Sequence, residues 1–352
     1  MTINTIKLME VCGTHTMAIA KAGIKKLLPD NIRIISGPGC PVCVTSESDI
    51  ARAVEISRLP GVIMTTFGDM MRVPGSSGSL EETKRSGSDV RIVYSCLDAL
   101  RVAGDNPGKK VVFMGVGFET TSPTVAATIL EAKRKKIRNF FVLSNFKVIF
   151  PALEAIARAE KLRINGFICP GHVSVITGSA PYEKIARRYK IPCVITGFDT
   201  IDVLKGIERL IRQRKNGEHA VEIEYKRAVK RDGNKHARRI LDSVFEAKDS
   251  EWRGLGIIKK SGLKLKKEYR GFDAEREFRV KIPKAPKRPG CICGEVLQGA
   301  KAPADCRLFG KACTPDRPVG PCMVSSEGTC AAHYKYQSIG AGLPYSPEVG
   351  LP

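Results

Sequence analysis

At 352 residues and 43% apolar content, the chain is long enough for two or three domains with a substantial core. Its longest apolar runs, such as "VIMTTF" and "FFVLSNF", are far too short to span a bilayer. "MTINTIKLMEVC" lacks the charged-then-apolar layout of a secretion signal, so the expectation is a cytoplasmic protein with no membrane span.

The formal charge is +22, and residues 201–290 carry 26 Lys/Arg against 14 Asp/Glu. Such a surface suits an acidic partner, or is simply a solvated basic face. No nucleic-acid motif or aromatic–basic repeat accompanies it, so no specific nucleic acid is expected. In a reducing compartment the 12 cysteines are not expected to form a disulfide framework and point to metal or redox chemistry.

In chain order, the first feature is "CGTHT". Cys12 and His15 stand at i and i+3, which shares one face if a helix begins there. The two could ligate a soft transition metal, form a Cys–His nucleophile pair, or be a buried cysteine beside a Thr14 cap. "IRII" reads as a buried strand and is followed by "GPGCPVC". Ser46 and Asp49 then fit a capping box, which sets Cys40 and Cys43 before a helix N-terminus, where thiol pKa values fall. The C-x-x-C spacing allows a disulfide or half a zinc site. With no second C-x-x-C in the chain, redox or transient ligation is favoured over structural zinc.

"GVIMTTF", "VRIVYS", "KVVFMGVG", "NFFVLSN", "INGFIC" and "PCVITGF" follow as strand-length apolar runs, each succeeded by a loop and, after most, a helical pattern. "GDMMRVPGSSGSLEETKRSG" reads as a long polar loop. In "GVGFETTSP", Glu119 suits hydrogen bonding to a partner loop or proton transfer, with Thr120 and Thr121 capping the helix that Pro123 starts. "CPGHVSVITG" sets His172 at a strand edge. Repeated strand–loop–helix units predict an α/β protein with parallel sheets in two lobes, residues 30–117 and 118–216. The unusual loops would lie at the carboxyl edges of the sheets and share one crevice.

The pattern fails after residue 217, where "EIEYKRAVKRDGNKHARRILDSVFEAKDSEWRGLG" starts as a strand or turn and becomes a helix. Lys281–Pro289 reads as an extended connector. Residues 1–29 and 217–352 are grouped as a third, smaller domain, with a cysteine region at 290–336. There Cys306, Cys313, Cys322 and Cys330 follow C-x6-C-x8-C-x7-C. Four thiolates on Gly/Pro-rich loops suit a [4Fe–4S] cluster or an all-cysteine zinc site, and spacing alone does not choose. Cys291 and Cys293 are then surplus: an accessory dithiol, or one of them a ligand in place of Cys306.

Together, "CGTHT", "GPGCPVC", "FGDMMRVPGS", "GFETT", "PGHVS", "WRGLG" and the terminal "GPCMVSSEGTC" resemble the HypD family of hydrogenase maturation factors, in that family's order, from about Val11 to Tyr336. The resemblance implies two α/β lobes facing a central crevice plus a smaller C-terminal iron–sulfur domain. It also implies a redox-active scaffold, rather than a conventional small-substrate enzyme, on which the Fe(CN)2CO unit of [NiFe]-hydrogenase is assembled. A HypC-type chaperone and the cyanide donor HypE, with HypF, would be its partners. Cys12 would hold the iron, Cys40 and Cys43 would be a redox pair beside it, and His15 and His172 would line the same crevice. Cys306, Cys313, Cys322 and Cys330 would hold a [4Fe–4S] cluster. The competing expectations are a cluster-dependent thiol–disulfide reductase and a zinc-stabilised nucleic-acid-binding protein.

Overall fold

The computed structural model describes residues 5–159, 162–283 and 290–336, so most of the expected connector Lys281–Pro289 lies outside the described residues. Strands β1 (Ile6–Glu10) and β2 (Ile32–Ser36) run parallel and begin one sheet. The chain then leaves to build a second sheet from β3 (Val62–Thr66), β4 (Asp89–Ile92), β5 (Lys110–Gly115) and β6 (Phe140–Ser144). It returns to the first with β7 (Gly166–Cys169), β8 (Cys193–Ile195) and β9 (Val221–Ile223). The sheet orders are β2-β1-β7-β8-β9 and β4-β3-β5-β6, and both sheets are parallel throughout. Helices cover these strands, which is why β3, β6 and β7 read as unbroken apolar runs and are buried along their whole length.

The α/β class and the parallel sheets match the expectation, but sheet membership cuts across the expected division at residue 117. β2 lies before it and pairs with β1, whereas β6 lies after it and pairs with β5. β1, grouped above with the third domain, pairs on both sides and sits inside the five-stranded sheet. The alternation of strands and helices reveals the units but not the sheet each joins. A crossover helix can deliver its strand to either side of a neighbour, and a chain can leave one sheet and come back.

In both sheets the order reverses beside the first strand, which puts a switch point between β1 and β7 and another between β3 and β5. Ligands in open parallel sheets bind at such points, outside the carboxyl ends of the strands. "CGTHT" follows β1, "PGHVS" follows β7, and "GFETT" follows β5.

After β9 come a helix, Lys235–Val244, and an antiparallel hairpin of β10 (Phe245–Trp252) and β11 (Gly256–Leu265). The hairpin was hidden by its charge, since only alternate positions face the core and a bulge at Lys248–Ser250 breaks the alternation. It packs across the second sheet: the Val148 N–H donates to the Ser261 carbonyl (2.8 Å) and the Ser144 hydroxyl to that of Leu263 (2.7 Å). The Arg253 N–H, at its tip, reaches the Val44 carbonyl (2.9 Å). Lys147 is buried beneath and held by Asp49 (3.1 Å), the Ser250 hydroxyl (2.7 Å) and the Glu251 carbonyl (2.7 Å). The stretch expected as a polar loop also contains a short helix, Leu80–Arg85, closed by a reciprocal capping box of Ser79 and Glu82. Among the described residues, no helix is long and apolar enough to cross a membrane.

Candidate metal centre and thiol relay

Cys12 ends the β1 loop in extended conformation and is the N-cap of the helix Gly13–Lys21. It therefore caps the first turn, the one that contains His15, with its own backbone still extended. Its carbonyl accepts from the Thr16 N–H (3.0 Å), and its N–H donates to the Glu10 carboxylate (3.2 Å). The Thr16 hydroxyl donates to the other oxygen of Glu10 (2.5 Å). Glu10, unnoticed in the sequence, is thus the buried brace of the Cys12 loop. Burial raises its carboxyl pKa to about 7. Burial also pushes the Cys12 thiol up to about 12, opposed in part by the backbone N–H groups of His15 and Thr14. The free thiol is accordingly protonated, and a bound cation is what would release its proton.

The "GPG" of "GPGCPVC" presses directly on this loop. The Gly13 N–H donates to the Gly39 carbonyl (3.1 Å), and a Cβ on Gly39 would lie 2.2 Å from the Cys12 nitrogen. Only glycine permits that approach. Gly13 in turn makes room for Glu327, whose carboxylate accepts from the Thr14 hydroxyl (2.6 Å). The charge of Glu327 acts on both Cys12 and His172. Glu327 belongs to "SSEGTC", and its carboxylate carried no distinguishing signal in the sequence.

His15 is fully buried, with Nε2 2.9 Å from the Gly197 carbonyl and 2.8 Å from the Thr196 hydroxyl. A carbonyl only accepts, so Nε2 carries the proton and Nδ1 is bare. Nδ1 is buried without a hydrogen-bond partner. Burial holds the ring pKa down to about 4, so the imidazole is neutral near pH 7. The ring lies 4.7 Å from Phe198, and Phe198 lies 4.1 Å from the exposed His172. The two histidines thus meet on one aromatic ring at the β1/β7 switch point. Glu119 stands apart from them: one oxygen accepts from the Ile149 N–H (3.1 Å), and the other is buried without a partner. Burial raises its pKa to about 7. Its charge is felt by Tyr182, whose hydroxyl meets Ser174 of "PGHVS" at 3.0 Å. Thr121, expected to cap the next helix, occupies the N-cap position without a side-chain bond.

Cys40 caps a single four-residue turn, Pro41–Val44, and its sulfur accepts the Cys43 N–H at 3.3 Å. Pro41 at the first helical position has no N–H to satisfy. Ser46 begins the following helix, as its spacing to Asp49 predicts. The thiol effect expected from that helix is not found at Cys43, whose pKa burial raises well above the ordinary value. Cys43 is buried between the sheets and the C-terminal segment, with Sγ 3.9 Å from the Pro321 carbonyl and the Cys322 thiol as its neighbour.

Cys322 leads on to Cys293 and Cys330, and Cys293 to Cys291. Cys291 is pushed up by Cys293 and by burial, and Cys293 is pulled down by Cys291 and then Cys322. Five thiols line one small apolar cavity: Cys291, Cys293, Cys306, Cys313 and Cys330. Cys322, expected as a cluster ligand, is absent from that lining; its thiol has those of Cys293, Cys330 and Cys43 as neighbours. Among the described residues, no three His, Cys, Asp or Glu side chains converge as a single-ion site needs. The "WRGLG" motif closes this layer. A Cβ on Gly254 would meet the Gly294 Cα at 2.3 Å. Arg253 holds the Thr45 carbonyl (2.9 Å), Glu47 (3.2 Å) and the Pro74 carbonyl (3.4 Å).

Fold and site together define a class: an α/β scaffold that gathers thiols at its sheet edges and lines them up towards a cysteine-walled cavity. Within that class, the chain belongs to the HypD family of hydrogenase maturation factors. The family model described as "HypD: Hydrogenase formation hypA family" matches residues 2–337. The chain is 47% identical to hydrogenase maturation factor HypD2 of Bradyrhizobium diazoefficiens, over 94% of this chain and 89% of that protein. It is 46% identical to a putative hydrogenase expression/formation protein of Methanocaldococcus jannaschii (96% and 94%) and to hydrogenase maturation factor HypD of Escherichia coli (94% and 89%).

Proposed function

We propose that the protein is a redox-active cytoplasmic scaffold on which the Fe(CN)2CO unit of [NiFe]-hydrogenase is put together. It would work with a HypC-type chaperone and take cyanide from HypE, itself supplied by HypF. The observation that carries the proposal is the unbroken file of thiol neighbours from the Cys40–Cys43 turn through Cys322 to the cysteine-lined cavity, beginning where Gly39 touches Cys12.

Cys12 would hold the iron as a thiolate, a soft donor suited to iron that carries cyanide and carbonyl. The N–H groups of the helix start favour that thiolate, Glu10 fixes its loop, and His15, three residues on, has a bare buried Nδ1 that could accept a hydrogen bond. The Cys40–Cys43 dithiol can give up two electrons and two protons as its two S–H bonds break and one S–S bond forms. Cys322 and Cys293 lie between that pair and the cavity, which supports restoring it by thiol–disulfide exchange: the Cys40–Cys43 S–S bond breaks as a Cys293–Cys322 S–S bond forms, and the two protons pass to Cys40 and Cys43.

The donor set of the cavity, thiols only on apolar walls, supports a [4Fe–4S] cluster. Cys291, Cys306, Cys313 and Cys330 are the proposed ligands, since Cys293 and Cys322 lie on the side leading to Cys43. When bound, the cluster supplies electrons one at a time. A second reading, a thiol–disulfide reductase acting on a protein partner, draws on the same file of thiols. Infrared spectroscopy separates the two: the scaffold shows cyanide and carbonyl stretches when co-purified with its chaperone, whereas the reductase shows none and turns over a disulfide by itself.

A further inference from the structure

β2 ends the five-stranded sheet and pairs on one side only, with β1. Along its other side, where no strand pairs among the described residues, runs a groove of about 460 Å³, closed opposite by the loop around Gly299–Pro303. Gly299 crosses one end so closely that a Cβ there would lie 3.0 Å from Ile35 and 3.2 Å from the Ser36 carbonyl. Lys7, Lys25, Arg33 and Lys301 line the groove against one acidic residue, Asp305. None of the four is in a salt bridge among the described residues, whereas Asp305 is engaged with the Ala302 N–H (2.8 Å). Basic residues on an edge strand can simply guard it against self-pairing. That would explain Arg33, which is on β2, but not Lys25 on the short helix Ile24–Leu27 or Lys301 across the groove.

We infer that this groove docks an extended acidic segment of a partner protein, paired as an added strand along β2. The strand edge supplies main-chain hydrogen bonds, and the four cations from separate elements select the acidic side chains. The position gives the docking a consequence. Ser36 and Lys25, both in the groove wall, act on Glu10, the brace of the Cys12 loop. A segment seated on β2 therefore lies one strand away from the loop that carries Cys12.

The test uses the full chain and a fluorescent ten-residue peptide of alternating glutamate and valine, read by anisotropy. Binding is expected at one peptide per chain and to weaken as salt rises. The double variant R33E/K301E, both at exposed positions, should weaken binding at least about tenfold, and K205E/K259E, exposed elsewhere, less than about twofold. A peptide N-methylated at alternate residues should lose about tenfold as well. Equal losses in the two double variants would overturn the proposal in favour of a general basic surface. Undiminished binding of the N-methylated peptide would exclude strand pairing. Binding that appears only after truncation at Tyr336 would assign the groove to the chain's own tail. Unchanged circular dichroism of the variants separates lost docking from lost fold.

Discussion

The Cys12 site and the C-terminal cavity both present buried thiols, but they are built by opposite means. Cys12, His15 and His172 each follow a strand of the same sheet, and hydrogen bonds to Glu10, Gly197 and Thr196 fix their surroundings. The cavity thiols sit on the short helix Cys293–Leu297, at the start of the helix Thr329–Tyr336 and on turns, beside tight glycine contacts such as Gly320, where a Cβ would meet the Cys293 and Cys291 sulfurs at 2.4 and 2.7 Å. A sheet edge can hold a ligand-binding thiol ready without its ligand. A Gly/Pro-rich segment takes its order from what it binds.

The largest effect that follows concerns the cavity. Chelation of iron should speed amide exchange across residues 290–330 by at least about a hundredfold while leaving β1 and β7 unchanged. Equal acceleration in both regions would erase the contrast. Next, if the proposed cluster is bound, Cys306→Ala should abolish its visible absorption, whereas Cys322→Ala should keep it and lose reduction of Cys40–Cys43. Loss of colour in Cys322→Ala would restore that residue as a ligand.

Lys147 tests the scaffold side. Lys147→Ala removes the ion pair with Asp49 and two further bonds, and should cost about 3 kcal/mol in urea unfolding. A cost under about 1 kcal/mol would mean that the hairpin is anchored elsewhere.

An effect of similar size is a pH dependence. Glu119 has a folded pKa of about 7 against an ordinary 4.5, so between these values the folded chain holds the extra proton. Its contribution to stability is present below pH 4.5 and is lost as pH rises to 7, by about 3 kcal/mol. Glu119→Gln should therefore gain on the parent chain from pH 4.5 to pH 7. A variant that falls behind instead would show that the carboxylate has a cationic partner.

The α/β class, the parallel strands and the loops at sheet edges were legible because apolar runs and helical periodicity are local properties. Cys12, Cys40, Cys43, His15 and His172 were legible because their residue types are scarce and their loops glycine-rich. Three things were not. Strand order was hidden because β1 pairs with β7 only after the chain has built the whole second sheet in between. Glu10 and Glu327 were hidden because a carboxylate looks the same whether it braces a thiol loop or faces solvent. The place of Cys322 was hidden because spacing counts cysteines without saying which thiols each one meets; Cys322 meets Cys43 as well as Cys293 and Cys330.

The central claim is that Cys12 holds cargo while the C-terminal thiols hold a resident cluster. Its most direct test is the infrared and visible spectrum of the Cys12→Ala chain, purified anaerobically with its HypC-type chaperone. The account predicts that the cyanide and carbonyl stretches vanish while the brown absorption stays at the parent level. Stretches that persist in Cys12→Ala, or that disappear together with the colour, would contradict it.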